Sequence, residues 1–171
     1  MAKAKYGVVR TDNLAGTDVR TALVSVRYMG ADGNTAAEIE NGNVVKMTVL
    51  VEGEREIFVA TDVAANDKLS DVVLIAAPEV AYDERVRNLD EFINEAGKNV
   101  RGYHLHSGDE FSVTKEALTG VEAPAVGNIV ELAAGTKLNV AASATADATA
   151  VGKIIAVEIV GRYTYYVIKV D

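Results

Sequence analysis

Short β-favouring runs broken by glycine-containing turns recur along this chain, and the pattern rules out most architectures at once. The runs are 6–10, 23–28, 44–51, 55–60, 71–76, 101–106, 110–114, 128–133, 137–142, 153–160 and 163–170. They are rich in valine, isoleucine, tyrosine and threonine, whose branched or aromatic side chains fit a pleated surface better than a helix. Between them stand Gly30-Ala-Asp-Gly33, Asn41-Gly42, Ser107-Gly-Asp109 and Gly161-Arg162, residues suited to the positive φ of tight turns. The expected fold class is therefore mainly β with one short helix, built from small antiparallel β-barrel or sandwich units.

Composition agrees with this reading. Hydrophobic residues make up 49% of the chain but aromatics only 6%, with no tryptophan, so the core must be valine, alanine, isoleucine and leucine. No cysteine is present, which excludes disulfides, thiolate metal ligands and cysteine nucleophiles. A formal charge of −8 argues against direct nucleic-acid binding, where affinity comes from clustered lysine and arginine releasing counterions. No apolar segment has the length of a membrane span, and residues 1–10 carry lysines without an apolar core, so neither a span nor a signal peptide is expected.

At 171 residues the chain suits one domain or two small ones. The expected division is 1–120, a β-rich domain with a helix near 89–96, and 121–171, an antiparallel β subdomain beyond the turn residues Gly120 and Pro124. The helix is expected because Asn88 suits an N-cap, Asp90 and Glu91 suit the positive first turn, and Gly97 suits a left-handed stop. Leu89, Phe92, Ile93 and Ala96 would then share one face. The runs 101–106 and 110–114 read as a hairpin around Ser107-Gly-Asp109, and the alanine- and threonine-rich stretch 141–150 reads as a loop. Residues 1–18, polar and poorly periodic, are a candidate arm.

The search for chemistry yields no catalytic constellation. His104 and His106 are the two histidines; a spacing of two puts them on one strand face near Asp109 and Glu110, but no third ligand stands at a diagnostic spacing. The alternative is that both face solvent while Tyr103 and Leu105 face the core. The carboxylates Asp83, Glu84, Asp90, Glu91 and Glu95 read as a solvated acidic face around the helix. The glycines form neither a phosphate-binding loop nor a dinucleotide fingerprint, and no serine sits in a Gly-x-Ser-x-Gly elbow. No catalytic residue, metal or cofactor is expected, and the chain reads as a structural or binding component. Tyr163, Tyr165 and Tyr166 on the last strand are the candidate interface, since tyrosine combines wide apolar contact with a hydrogen-bonding tip; packing within the chain is the competing role.

Several stretches resemble the head decoration, or cement, proteins of tailed bacteriophages: Lys5-Tyr-Gly-Val-Val-Arg-Thr-Asp12, Ile39-Glu-Asn-Gly-Asn-Val-Val45, Ser107-Gly-Asp-Glu-Phe-Ser-Val-Thr114, Val126-Gly-Asn-Ile-Val130 and Gly161-Arg-Tyr-Thr-Tyr-Tyr-Val-Ile168. The resemblance implies a protein made in the host cytoplasm that binds the outer surface of the capsid, often as a homo-oligomer, and clamps neighbouring major capsid protein subunits. It implies no membrane partner and no cofactor. A carbohydrate- or cell-surface-binding β module is the alternative reading, and an enzyme built on His104 and His106 a third.

Overall fold

The computed structural model describes residues 5–13, 22–80 and 88–171. Among these residues twelve strands carry the architecture: β1 (Val9–Asn13), β2 (Leu23–Tyr28), β3 (Val44–Leu50), β4 (Ile57–Thr61), β5 (Val72–Ile75), β6 (Asn99–His104), β7 (Glu110–Val113), β8 (Leu118–Gly120), β9 (Ile129–Glu131), β10 (Leu138–Ala141), β11 (Ala150–Val160) and β12 (Tyr163–Val170). The mainly β fold class read from the sequence is the one observed. No helix among the described residues is long and apolar enough to cross a membrane.

β2 to β6 close into a five-stranded barrel in the order β2-β4-β3-β5-β6, with β2 and β4 parallel. The other seven form a single sheet, β1-β7-β12-β11-β9-β10-β8, antiparallel except where β10 meets β8. The sheet thus collects residues 9–13 and everything from 110 onward, and the division expected near residue 120 falls inside it, between β8 and β9.

Strand alternation builds two cores from one wall. All four residues of β5 are buried. Successive side chains point to opposite faces, so Val73 and Ile75 enter the barrel with Val26, Val45, Ala60 and Val100. Val72 and Leu74 face the seven-stranded sheet and join Phe111, Val113, Leu138 and Ile168. Val44 and Val45 divide in the same way at the start of β3. Each such side chain withdrawn from water stabilises the fold by about 1.5–3 kcal/mol before entropy is counted.

Two sequence expectations are corrected. The runs 101–106 and 110–114 do not pair with each other. β6 already has β2 and β5 on its two edges, so β7 pairs instead with β1 and β12, and the turn at Ser107–Asp109 carries the chain from barrel to sheet. The helix expected over 89–96 shrinks to one 3-10 turn, Leu89–Glu91, after which Phe92 is already extended at φ −78°, ψ 133°. A helix of two turns cannot hold itself together in water. Here the backbone of Asn94 bonds Ile39 in both directions, at 3.0 and 3.1 Å, and its side-chain amide donates to Ile39 O and Asn41 Oδ1. These bonds satisfy the segment better than a short helix would.

The stretch read as a loop lies between β10 and β11. Buried Glu131 on β9 anchors it, accepting from the Thr145 amide and hydroxyl and from the Asn139 side chain. Of the expected arm, residues 9–13 form β1 at one edge of the sheet, while residues 1–4 and 14–18 lie outside the described residues.

Candidate interaction surface

β11 and β12 form the longest hairpin among the described residues, paired from Gly152↔Val170 to Val160↔Tyr163. Gly161 takes φ +61° at the first position of the two-residue turn, where a side chain would be strained. At the other end, Gly152 lies so close to β12 that a Cβ there would stand 1.9 Å from the Lys169 carbonyl oxygen. Register slips by one residue between Ile154 and Ala156, which places a bulge in β11. β9 accompanies β11 only to this point: Ile154 N donates to Asn128 O at 3.0 Å and Ile154 O accepts from Gly127 N at 2.8 Å. From Ile155 to Val160 the outer side of β11 has no backbone partner among the described residues.

Residues opposite one another in an antiparallel pair share a face. One face of the hairpin is polar and tied down. Arg10 on β1 reaches Glu158 Oε2 at 2.7 Å and Ser112 Oγ at 3.3 Å, and its guanidinium lies 4.5 Å from the centre of the Tyr165 ring. Tyr165 is only 3% exposed. The Tyr163 ring meets Tyr165 edge-on at 6.1 Å, and its hydroxyl donates to Asp90 Oδ1 at 2.8 Å. Arg162 binds the same carboxylate oxygen, while the Lys5 amide donates to Asp90 Oδ2 at 3.3 Å. Burial by itself would raise the Asp90 carboxyl, but the bonds from Tyr163, Lys5 and Arg162 outweigh it and hold it below the ordinary aspartate value.

The other face is apolar. Val157 pairs with Tyr166 and Ile159 with Thr164. Tyr166 packs partly against the inter-sheet core, and burial, with the charge of Glu116 adding, pushes its phenol upward. Beyond it Val157 is 42% and Ile159 64% exposed, with Ile155 and Val160 also exposed on the same strand. Val126, 63% exposed, stands beside the point where β9 leaves β11.

The three tyrosines singled out from the sequence are therefore not one platform. Tyr163 and Tyr165 are joined on the polar face and Tyr166 lies on the other. Asp90, expected on a solvated helix face, is instead buried beneath the hairpin turn at 6% exposure. Nothing in its local sequence signals this, because its partners Lys5, Arg162 and Tyr163 are remote along the chain. The strip 155–160 is legible as a strand; that its outer side has no strand partner among the described residues is not.

A second exposed apolar group occupies the β3–β4 hairpin, where Val49 is 68% and Leu50 44% exposed. Its connection carries Glu52, Glu54, Arg55 and Glu56, all exposed, and Glu54 lies 3.9 Å from Arg27. Between β1, β6 and residues 76–79 an open cleft of about 460 Å³ is lined by Arg10, Arg101, Glu79 and Tyr103.

The histidines part company. His104 ends β6, where burial lowers its imidazole below the ordinary value and the charge of His106 adds to the effect. His106 is exposed in the following turn, its Nδ1 3.8 Å from Asp109 Oδ2. Asp83 and Glu84 lie outside the described residues, and among those described no three His, Asp or Glu side chains are grouped to hold a metal. No protein-family model matches the chain, nor does any curated protein or solved structure.

Proposed function

We propose that this chain is a structural docking protein of the head-decoration kind, which binds the outer surface of a phage capsid and ties neighbouring capsid subunits together. One observation carries the reading: among the described residues, six of the ten exposed large hydrophobic residues lie on two hairpins, Val49 and Leu50 on β3–β4 and Ile155, Val157, Ile159 and Val160 on β11–β12. Concentrated exposed apolar surface marks contact with protein. The decoration-like stretches Lys5–Asp12 and Gly161–Ile168 contribute most of β1, whose Arg10 reaches Glu158 of the second hairpin, and most of β12, one strand of that hairpin.

The β3–β4 tip is the part directed at the lattice. Its apolar pair supplies buried area, and Glu52, Glu54, Arg55 and Glu56 around it supply orientation, since charged rims govern specificity more than affinity. Binding that occurs only on the assembled shell stabilises the shell by mass action, without chemistry. Function then resides on the outside of the virion, with the capsid as partner and nucleic acid uninvolved.

Co-sedimentation with purified, expanded tailed-phage capsids tests this. Saturable binding is expected, weakened at least ~10-fold by Leu50→Asp, a change of about 1.4 kcal/mol. Absence of binding to capsids with intact surfaces overturns the reading.

A further inference from the structure

We infer that the edge of β11 over residues 155–160, unpaired among the described residues, is a self-association site, at which a second copy of this chain adds its own β11 antiparallel across a two-fold axis centred on Ile159. The inference goes beyond capsid docking and uses a different hairpin.

The backbone supplies the first part of the argument. Val160 and Tyr163 flank a two-residue turn and are therefore a hydrogen-bonded pair. Bonded pairs alternate back along the strand, so Val160 and Glu158 turn their N–H and C=O groups toward β12. Val157 and Ile159 turn theirs outward, to the side where no partner strand lies among the described residues. An edge of this kind is completed by another extended strand, and natural edges are normally blunted by lysine, proline or a central bulge. The segment Ile155-Ala-Val-Glu-Ile-Val160 contains neither lysine nor proline, and its bulge stands at its start.

Charge decides which strand. The chain carries −8, so two copies carry a net mutual repulsion. Within 155–160 the only charged side chain is Glu158, and Arg10 neutralises it at 2.7 Å. The strip is thus a place where like chains meet without net repulsion, and its apolar side chains match their own kind.

Geometry then decides the register. Pairing centred on Glu158 would set two carboxylates directly opposite, which is unfavourable. Pairing centred on Val157 would drive the turn of the second copy toward Ile154, where Asn128 and Gly127 already occupy the edge. Centring on Ile159 avoids both. Ile159 then faces Ile159 of the second copy with outward-pointing amides and carbonyls on both sides, Glu158 faces Val160, and Val157 faces Gly161. The contact is isologous, so it closes as a dimer.

The absence of cysteine makes the test specific. Facing residues in a hydrogen-bonded antiparallel pair have Cα atoms about 5.5 Å apart, within disulfide range. Under mild oxidation Ile159→Cys should form a covalent dimer quantitatively, while Val49→Cys, equally exposed but on the other hairpin, should remain monomeric. By sedimentation equilibrium the unmodified chain should show a concentration-dependent dimer, and Ile159→Lys should weaken it at least ~10-fold. Circular dichroism and thermal unfolding establish that the lysine variant is folded. A chain that stays monomeric at millimolar concentration overturns the inference, as does a dimer indifferent to Ile159→Lys or one cross-linked as readily through residue 49. Capsid binding is read separately, so loss of the dimer with retained co-sedimentation refutes this site alone.

Discussion

The two long hairpins are built on the same alternation but end under different topological conditions. β3–β4 belongs to a closed barrel. β4 lines one edge of β3, but β5 covers the other only from Val44 to Lys46; toward the tip a bulge between Met47 and Leu50 interrupts the strand, so the hairpin offers a partner its side chains rather than a straight backbone edge. β11–β12 belongs to an open sheet in which β11, eleven residues long, outruns three-residue β9, so that backbone groups and side chains beyond it have no strand partner among the described residues. A bulge blunts the overhanging edge at the barrel tip, whereas the overhang of β11 carries its bulge only at its start. The proposed roles separate accordingly: recognition through charged and apolar side chains at β3–β4, strand addition at β11.

The strongest test of this contrast is whether the two halves are energetically one. Leu74 stands in the barrel wall yet packs into the inter-sheet core, so Leu74→Ala should cost about 3–5 kcal/mol. Barrel and sheet should still unfold in a single transition in denaturant. Two separated transitions would break the comparison by showing that the sheet stands without the barrel.

A smaller effect is expected from the hairpin itself. Gly152→Ala places a methyl 1.9 Å from the Lys169 carbonyl oxygen and must part β11 from β12, at a cost of about 1–3 kcal/mol. If the free edge depends on the straight run of β11 beyond β9, this variant should also weaken self-association in sedimentation measurements.

Acid should act through the carboxylates that pin the open sheet. Asp90 and Glu131 are both held below their ordinary values; in each, hydrogen bonds to the charged form outweigh the opposing effect of burial. A folded-state value below the unfolded one means that the stabilisation is fully present above the unfolded pKa and is lost as pH falls through the folded value. With ordinary values of 3.8 and 4.5, stability should be level near neutrality and decline below about pH 5. Asp90→Asn, which gives up the charge-assisted bonds with Arg162 and Tyr163, should cost about 1–3 kcal/mol at neutral pH. It should also flatten part of the acid decline, measured as denaturation midpoint against pH.

The β character and most strand positions could be read from residues alone, because alternation and turn chemistry act over a few neighbours. Leu23–Tyr28 and Tyr163–Val170 have the bounds their patterns imply, and Gly161 has the positive φ its turn requires. The helix at 89–96 was misread for the same reason: its capping residues are local, whereas the bonds from Asn94 to Ile39 and Asn41 come from 53 and more residues away.

By itself the sequence determined that the chain would be a cysteine-free assembly of short strands with a small-aliphatic core. Only the tertiary structure decided that β6 and β7 part into different sheets, that Asp90 lies beneath the turn at Gly161-Arg162, and that β11 runs past its neighbour. Strand propensity is settled by a residue and its nearest neighbours, but pairing, burial and edge exposure depend on which distant segments arrive to fill each position.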